Sequence, residues 1–110
     1  MDRVFVPLAK EPFLDFKLYG KTYELRRRER QWTEKNVRPG RHVTVSCGYS
    51  GERLEGTIGS VLTASLNDIF RFIDFKKIEP RAKTVQEAKA ENLKTLGATE
   101  KYIAFEIELA

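Results

Sequence analysis

At 110 residues the chain has room for one domain, residues 1–110, and for no second core of useful size. Its 41% hydrophobic and 33% charged residues exclude a disordered chain and describe a globular domain with a heavily charged surface. One cysteine, Cys47, and one histidine, His42, exclude an internal disulfide and a zinc centre, and no apolar run nears the roughly 20 residues of a membrane span. The formal charge of +4 favours polyanionic partners only weakly, but it is local. Between Arg26 and Arg41 seven basic residues face two acids, so this stretch alone carries +5.

Met1-Asp2-Arg3 leads straight into a short apolar strand rather than a leader, which points to a cytoplasmic protein. That strand runs from Arg3 to Val6 and is ended by Pro7. Glu11-Pro12 opens a short helix, with Pro12 suited to the first helical position and Gly20 as the stop. Phe13 and Phe16 give the helix an apolar face. From Thr22 to Arg28 the pattern becomes a strand, with Tyr23 and Leu25 on one face and Thr22, Glu24, Arg26 and Arg28 on the other. Glu29 to Arg38 reads as a long loop closed by Pro39-Gly40. His42 to Cys47 alternates again, Gly48-Tyr49-Ser50-Gly51 forms a hairpin, and Leu54 to Leu62 returns. Gly56 and Gly59 within that return predict a bulge or bend. Leu66 to Ile73 is a short helix. Thr84-Val85-Gln86-Glu87 is a capping box that starts a helix to about Leu96, stopped by Gly97. Ile103, Phe105, Ile107 and Leu109 alternate with Ala104, Glu106 and Glu108 as the last strand. The fold class is therefore α+β: about five strands with two or three short helices.

Gly20-Lys21-Thr22-Tyr23-Glu24-Leu25-Arg26 is the segment with chemistry. Lys21 and Glu24 are three apart and would face opposite sides of a continuous strand. They share a pocket only if Lys21 precedes the strand, as Gly20 permits. Read from periodicity alone, Glu24 and Arg26 form a weak ion pair on a solvated face.

Lys21-x-x-Glu24-x-Arg26 after a glycine-ended helix resembles the signature of ASCH domains, named for activating-signal-cointegrator homology. Further pieces follow in the order of that family: a Pro-Gly before a strand, Lys77-Ile78-x-Pro80, a Glu- and Ala-rich helix and a final strand. Two positions differ from its usual pattern, since Gly20 abuts Lys21 directly and Arg41 stands where an acid often follows the glycine. The resemblance implies a small PUA-like mixed β-barrel whose cleft holds Lys21, Glu24 and Arg26, and an association with RNA metabolism. Arg26 offers a planar fork, Lys21 a point charge and Glu24 an acceptor for an exocyclic amine, a set suited to RNA or a modified nucleotide.

One branch of such domains hydrolyses acetylated cytidine with a lysine, a threonine and a helix glutamate. These positions correspond to Lys21, Glu24 and Glu91 here, and a carboxylate at position 24 is not the alcohol nucleophile of that branch. Thr22 is an alcohol on the same strand face. The set implies a metal-free amidohydrolase as the alternative, with no cofactor. Glu91 reads equally as a solvated helical glutamate. In the basic loop, Arg27, Arg28, Trp32 and Tyr49 could hold RNA by stacking and charge; Trp32 could as well cap the core, and the loop could meet an acidic protein partner. His42 reads as a surface residue and Cys47 as core filler.

Overall fold

Residues 3–110 are described in the computed structural model. Met1 and Asp2, on which the reading of no leader partly rests, lie outside the described residues. The elements are β1 (Arg3–Leu8), α1 (Lys10–Leu18), β2 (Tyr23–Arg27), β3 (His42–Cys47), β4 (Arg53–Ala64), α2 (Leu66–Phe72), a 3-10 turn (Phe75–Lys77), α3 (Val85–Leu96) and β5 (Tyr102–Leu109). The strands form one sheet in the order β1-β3-β4-β5-β2, with β1 parallel to β3 and the other pairs antiparallel. The sheet curls into a half-barrel, and its two edge strands meet through a side chain rather than a ladder. Arg26 Nη2 on β2 donates to the Pro7 carbonyl on β1 at 3.1 Å.

Glycine makes the curl. A Cβ at Gly56 would sit 2.6 Å from the Glu108 carbonyl oxygen, so only glycine lets β4 approach β5 this closely. The register between the two strands then shifts between Ile58 and Val61, at the bulge that the glycines predict. Strand alternation sorts the apolar residues into two cores. Val4, Val6, Val43, Val45, Ile58, Ile103 and Phe105 fill the curl together with Phe13 and Phe16 of α1. Leu25, Tyr102 and Ala104 face outward and are covered by Leu66, Ile69 and Phe70 of α2 and Ala88 of α3. Residues from both faces of β5 are thus buried.

Several boundaries differ from the sequence reading by a residue or two, β4 for example running from Arg53 to Ala64, and two of the differences involve proline. β1 continues through Pro7 to Leu8. It is an edge strand, and the Pro7 carbonyl points away from β3 to Arg26, so the missing N–H breaks no ladder bond. α1 begins at Lys10, which puts Pro12 at its third position instead of its first. The N–H groups of a first turn have no helical partner, so proline is tolerated there too. Thr84 caps α3 as expected, accepting from the Glu87 N–H at 3.2 Å, and Gly97 follows it at φ 82°. Among the described residues no helix is long and apolar enough to cross a membrane.

Candidate functional site

The gap between β1 and β2 is the mouth of a cleft of about 810 Å³, walled by the start of α1, residues 79–82 and α3. Gly20, at φ 83°, breaks α1 and lets the chain turn, and the Lys21 N–H closes that turn on the Asp15 carbonyl at 3.0 Å. Lys21 therefore enters from the turn, while Glu24 and Arg26 enter from one face of β2. All three line the cleft, and Lys21 and Glu24 are buried.

Their geometry is a row of alternating charge. Glu24 Oε1 lies 3.6 Å from Lys21 Nζ, and Glu24 Oε2 accepts from Arg26 Nε at 2.6 Å. Lys21 Nζ also donates to the Ile78 carbonyl at 2.6 Å and lies 5.3 Å from the Phe16 ring centroid. The Arg26 guanidinium lies 4.5 Å from the Trp32 ring centroid. A buried carboxylate between two hydrogen-bonded cations is a preorganised polar floor, not the solvated ion pair that periodicity suggests.

Three further groups complete the site. Asn92, 6% exposed on α3, donates to Glu79 Oε2 at 3.0 Å and to the Ala88 carbonyl at 2.8 Å. Burial pushes the Glu79 carboxyl above its ordinary value, against the pull of Lys21 and of the Asn92 hydrogen bond; the Asp15 and Glu91 charges push it further up. Asp15 Oδ1 lies 2.7 Å from Arg81 Nε on the opposite rim. Glu91 lines the helix wall, exposed, with its carboxylate 3.3 Å from the Thr95 hydroxyl. Among the described residues six carboxylates (Glu11, Asp15, Glu24, Glu79, Glu87, Glu91) and four cations (Lys21, Arg26, Arg81, Lys94) line the cleft, so their formal sum is negative.

The sequence matches no family model and no curated protein. Its structure is similar to that of the hypothetical protein PH0355 (TM-score 0.79, 16% identity, 98% of this chain and 99% of that one). It is similar also to PF0455 from Pyrococcus furiosus (0.66, 18%, 97% and 96%). A third likeness, to ASCH from Zymomonas mobilis, has a TM-score of 0.66 at 15% identity over 97% of this chain and 67% of that one. The chain has the ASCH-domain fold.

Within this ASCH fold the remaining candidates lie outside the cleft. Arg27, on the other face of β2, bonds the Leu96 and Ala98 carbonyls at 3.3 and 3.2 Å, where α3 ends. Arg28 holds Glu34 at 2.7 Å, and with the Thr63 hydroxyl lowers the Glu34 carboxyl to about 2. Trp32 is 8% exposed, stacked on Phe105 at 5.9 Å on one face and covered by Arg26 on the other. Neither face is open to a base. Tyr49, in contrast, is 78% exposed. Thr22 is not among the residues lining the cleft, and its hydroxyl is buried. His42 is exposed and paired with Glu55 at 2.7 Å, and Cys47 packs against the barrel core.

Sequence reasoning missed Asp15, Glu79, Arg81 and Asn92. Asn92 had a signal: it lies on the stripe Val85, Ala88, Asn92, Leu96, where a polar residue at a buried helical position calls for a partner. Glu79 is the x of Lys77-Ile78-x-Pro80, in a segment with no periodicity to read.

Proposed function

We propose that the cleft binds the base of a nucleoside, free or within RNA, through acceptors that read an exocyclic amine. The observation that carries this is Glu24, held buried between Lys21 and Arg26 with the Glu79–Asn92 pair in the same cleft. Carboxylates accept from an exocyclic amine such as N4 of cytosine, and an asparagine amide both donates and accepts. The surplus of carboxylates disfavours a phosphate in the cleft itself and favours the uncharged part of a nucleotide. The ASCH fold and the resemblance of Lys21-x-x-Glu24-x-Arg26 to that family's signature support the same reading.

One observation favours a second, hydrolytic reading. Glu79 is a half-buried carboxyl with a raised pKa near an ammonium group, which suits proton transfer. Against it, Thr22 does not line the cleft, the Thr95 hydroxyl that does is bonded to Glu91, and Glu24 is already committed to two cations.

Heteronuclear NMR titration with cytidine, adenosine, uridine and acetylated cytidine separates these readings. Cytidine or adenosine is expected to shift cleft amides saturably, uridine to bind at least about tenfold more weakly, and Lys21→Ala to abolish the shifts. Acetylated cytidine is expected to survive incubation for hours. Steady release of cytidine, lost in Glu79→Gln, would move the protein to the hydrolases. No saturable shift with any nucleoside would sink the binding reading.

A further inference from the structure

The hydrogen bonds of Asn92 fix what the helix wall of the cleft can offer a ligand. A primary amide has two N–H donors and one acceptor oxygen. Asn92 Nδ2 donates both hydrogens within the protein, to Glu79 Oε2 at 3.0 Å and to the Ala88 carbonyl at 2.8 Å. The opposite amide orientation would set Oδ1 against those two acceptors, so the network holds the side chain in this one. Asn92 is 6% exposed and lines the cleft, and Oδ1 is its remaining polar atom. Glu79 stands likewise, with Oε2 occupied by Asn92 and Oε1 open. Among the described residues no donor reaches Oδ1 or Oε1, and neither oxygen is sealed from solvent. Burial raises the Glu79 pKa in spite of Lys21 and Asn92, as expected of a carboxylate short of donors. Glu24 differs in having a cation on each oxygen.

We infer that Glu79 and Asn92 are the residues that choose the base, and that the two acceptors they present select guanine. The inference rests on the nucleoside reading of the cleft and names the base within it. Guanine alone among the standard bases carries two adjacent donors on its pairing edge, N1–H and the N2 amine, with the O6 acceptor beside them. Cytosine and adenine each set one amine beside a bare ring nitrogen, whose lone pair would face the second acceptor. Uracil has a single N–H between two carbonyls. Opposed lone pairs in a buried site leave both groups unsatisfied, which costs more than the absence of one bond. The O6 of guanine has a partner here too. Lys21 Nζ carries three hydrogens, and the Ile78 carbonyl and Glu24 account for two. Its charge is felt at Glu79, so the donor and the acceptors belong to one constellation.

The test titrates the whole chain with guanosine, inosine, cytidine and adenosine, followed by NMR. Guanosine is expected to bind at least about tenfold tighter than cytidine or adenosine, and inosine, which lacks only the N2 amine, about tenfold more weakly than guanosine. Glu79→Gln gives the sharper readout. Its amide oxygen still accepts from Asn92, which turns an N–H donor toward the cleft where Oε1 was. Guanosine is then expected to weaken by about tenfold or more, while cytidine and adenosine, now matched donor to acceptor, tighten and overtake it. A wild-type preference for cytidine or adenosine overturns the choice of guanine and spares the cleft. Inosine equal to guanosine, or a Glu79→Gln protein that weakens every nucleoside alike, overturns the pair as readers of the base. No saturable binding of any nucleoside sinks the cleft reading and this inference together.

Discussion

Glu79 shows how one carboxyl can be held ready at some cost to the fold. Burial raises its pKa, so the folded state resists its ionisation more than the unfolded state does. By linkage, the stability tied to this group is full below its ordinary value of 4.5 and is lost as pH rises through the elevated folded value. Glu79→Gln removes that dependence and keeps an oxygen acceptor for Asn92. Its melting temperature is expected to exceed the wild type's at pH 7 and to converge with it below pH 4.5; thermal melts at three pH values check this. A variant less stable than wild type at pH 7 would mean that attraction to Lys21 outweighs burial. Glu34 runs the opposite way: Arg28 and Thr63 lower it to about 2, so its small contribution is present above 4.5 and fades as pH falls toward 2. The pair is exposed, and little stability rides on it.

At the scale of elements, the loop from Arg28 to Arg41 changes character between sequence and structure. Its five cations and its tryptophan suggest an extended nucleic-acid surface, yet Trp32 and Val37 are both in the barrel core and Arg28 is paired with Glu34 within the loop. Short-range patterning cannot show this, because the partners of Trp32 are Phe105, 73 residues on, and Arg26 on an edge strand. Where the period is regular, the sequence was sufficient: the five strands, the capped α3 and the glycine bend were all readable from alternation, Thr84, Gly97 and Gly56. The shared direction of Glu24 and Arg26 was readable too, and the break at Gly20 allowed Lys21 to join them. The opposite wall was not, since Glu79 and Asn92 reach the cleft only through the packing of α3 and the turn before it. Trp32→Ala is expected to destabilise the domain by about 3–5 kcal/mol, read as a lower urea midpoint with an unchanged slope. A loss below about 1 kcal/mol would make the tryptophan a surface lid after all.

The whole molecule is an open barrel whose seam is closed by one guanidinium. Arg26 bonds Glu24 on its own strand and the Pro7 carbonyl on the other edge, and packs on Trp32. Site and closure are therefore the same atoms. Arg26→Ala is expected to speed amide hydrogen exchange on β1 and β2 by tenfold or more, while the middle of β3 and β4, paired on both sides, keeps its protection. Exchange that rises evenly over all five strands would mean that the residue contributes to global stability and not to the seam.

The place of β5 in the sheet sets a timetable for biosynthesis. Its eight residues lie between β4 and β2, and they put Ile103, Phe105 and Ile107 into one core and Tyr102 and Ala104 into the other. A nascent polypeptide that has not yet reached Tyr102 has no strand to pair with β2, so Glu24 and Arg26 lack the ladder that fixes them at the cleft. Everything translated earlier then waits as a three-stranded ribbon with an unsatisfied β4 edge, the state in which such a chain is open to misassembly and most in need of a holding chaperone. The row of Lys21, Glu24 and Arg26 can therefore take its final geometry only after β5 has been made.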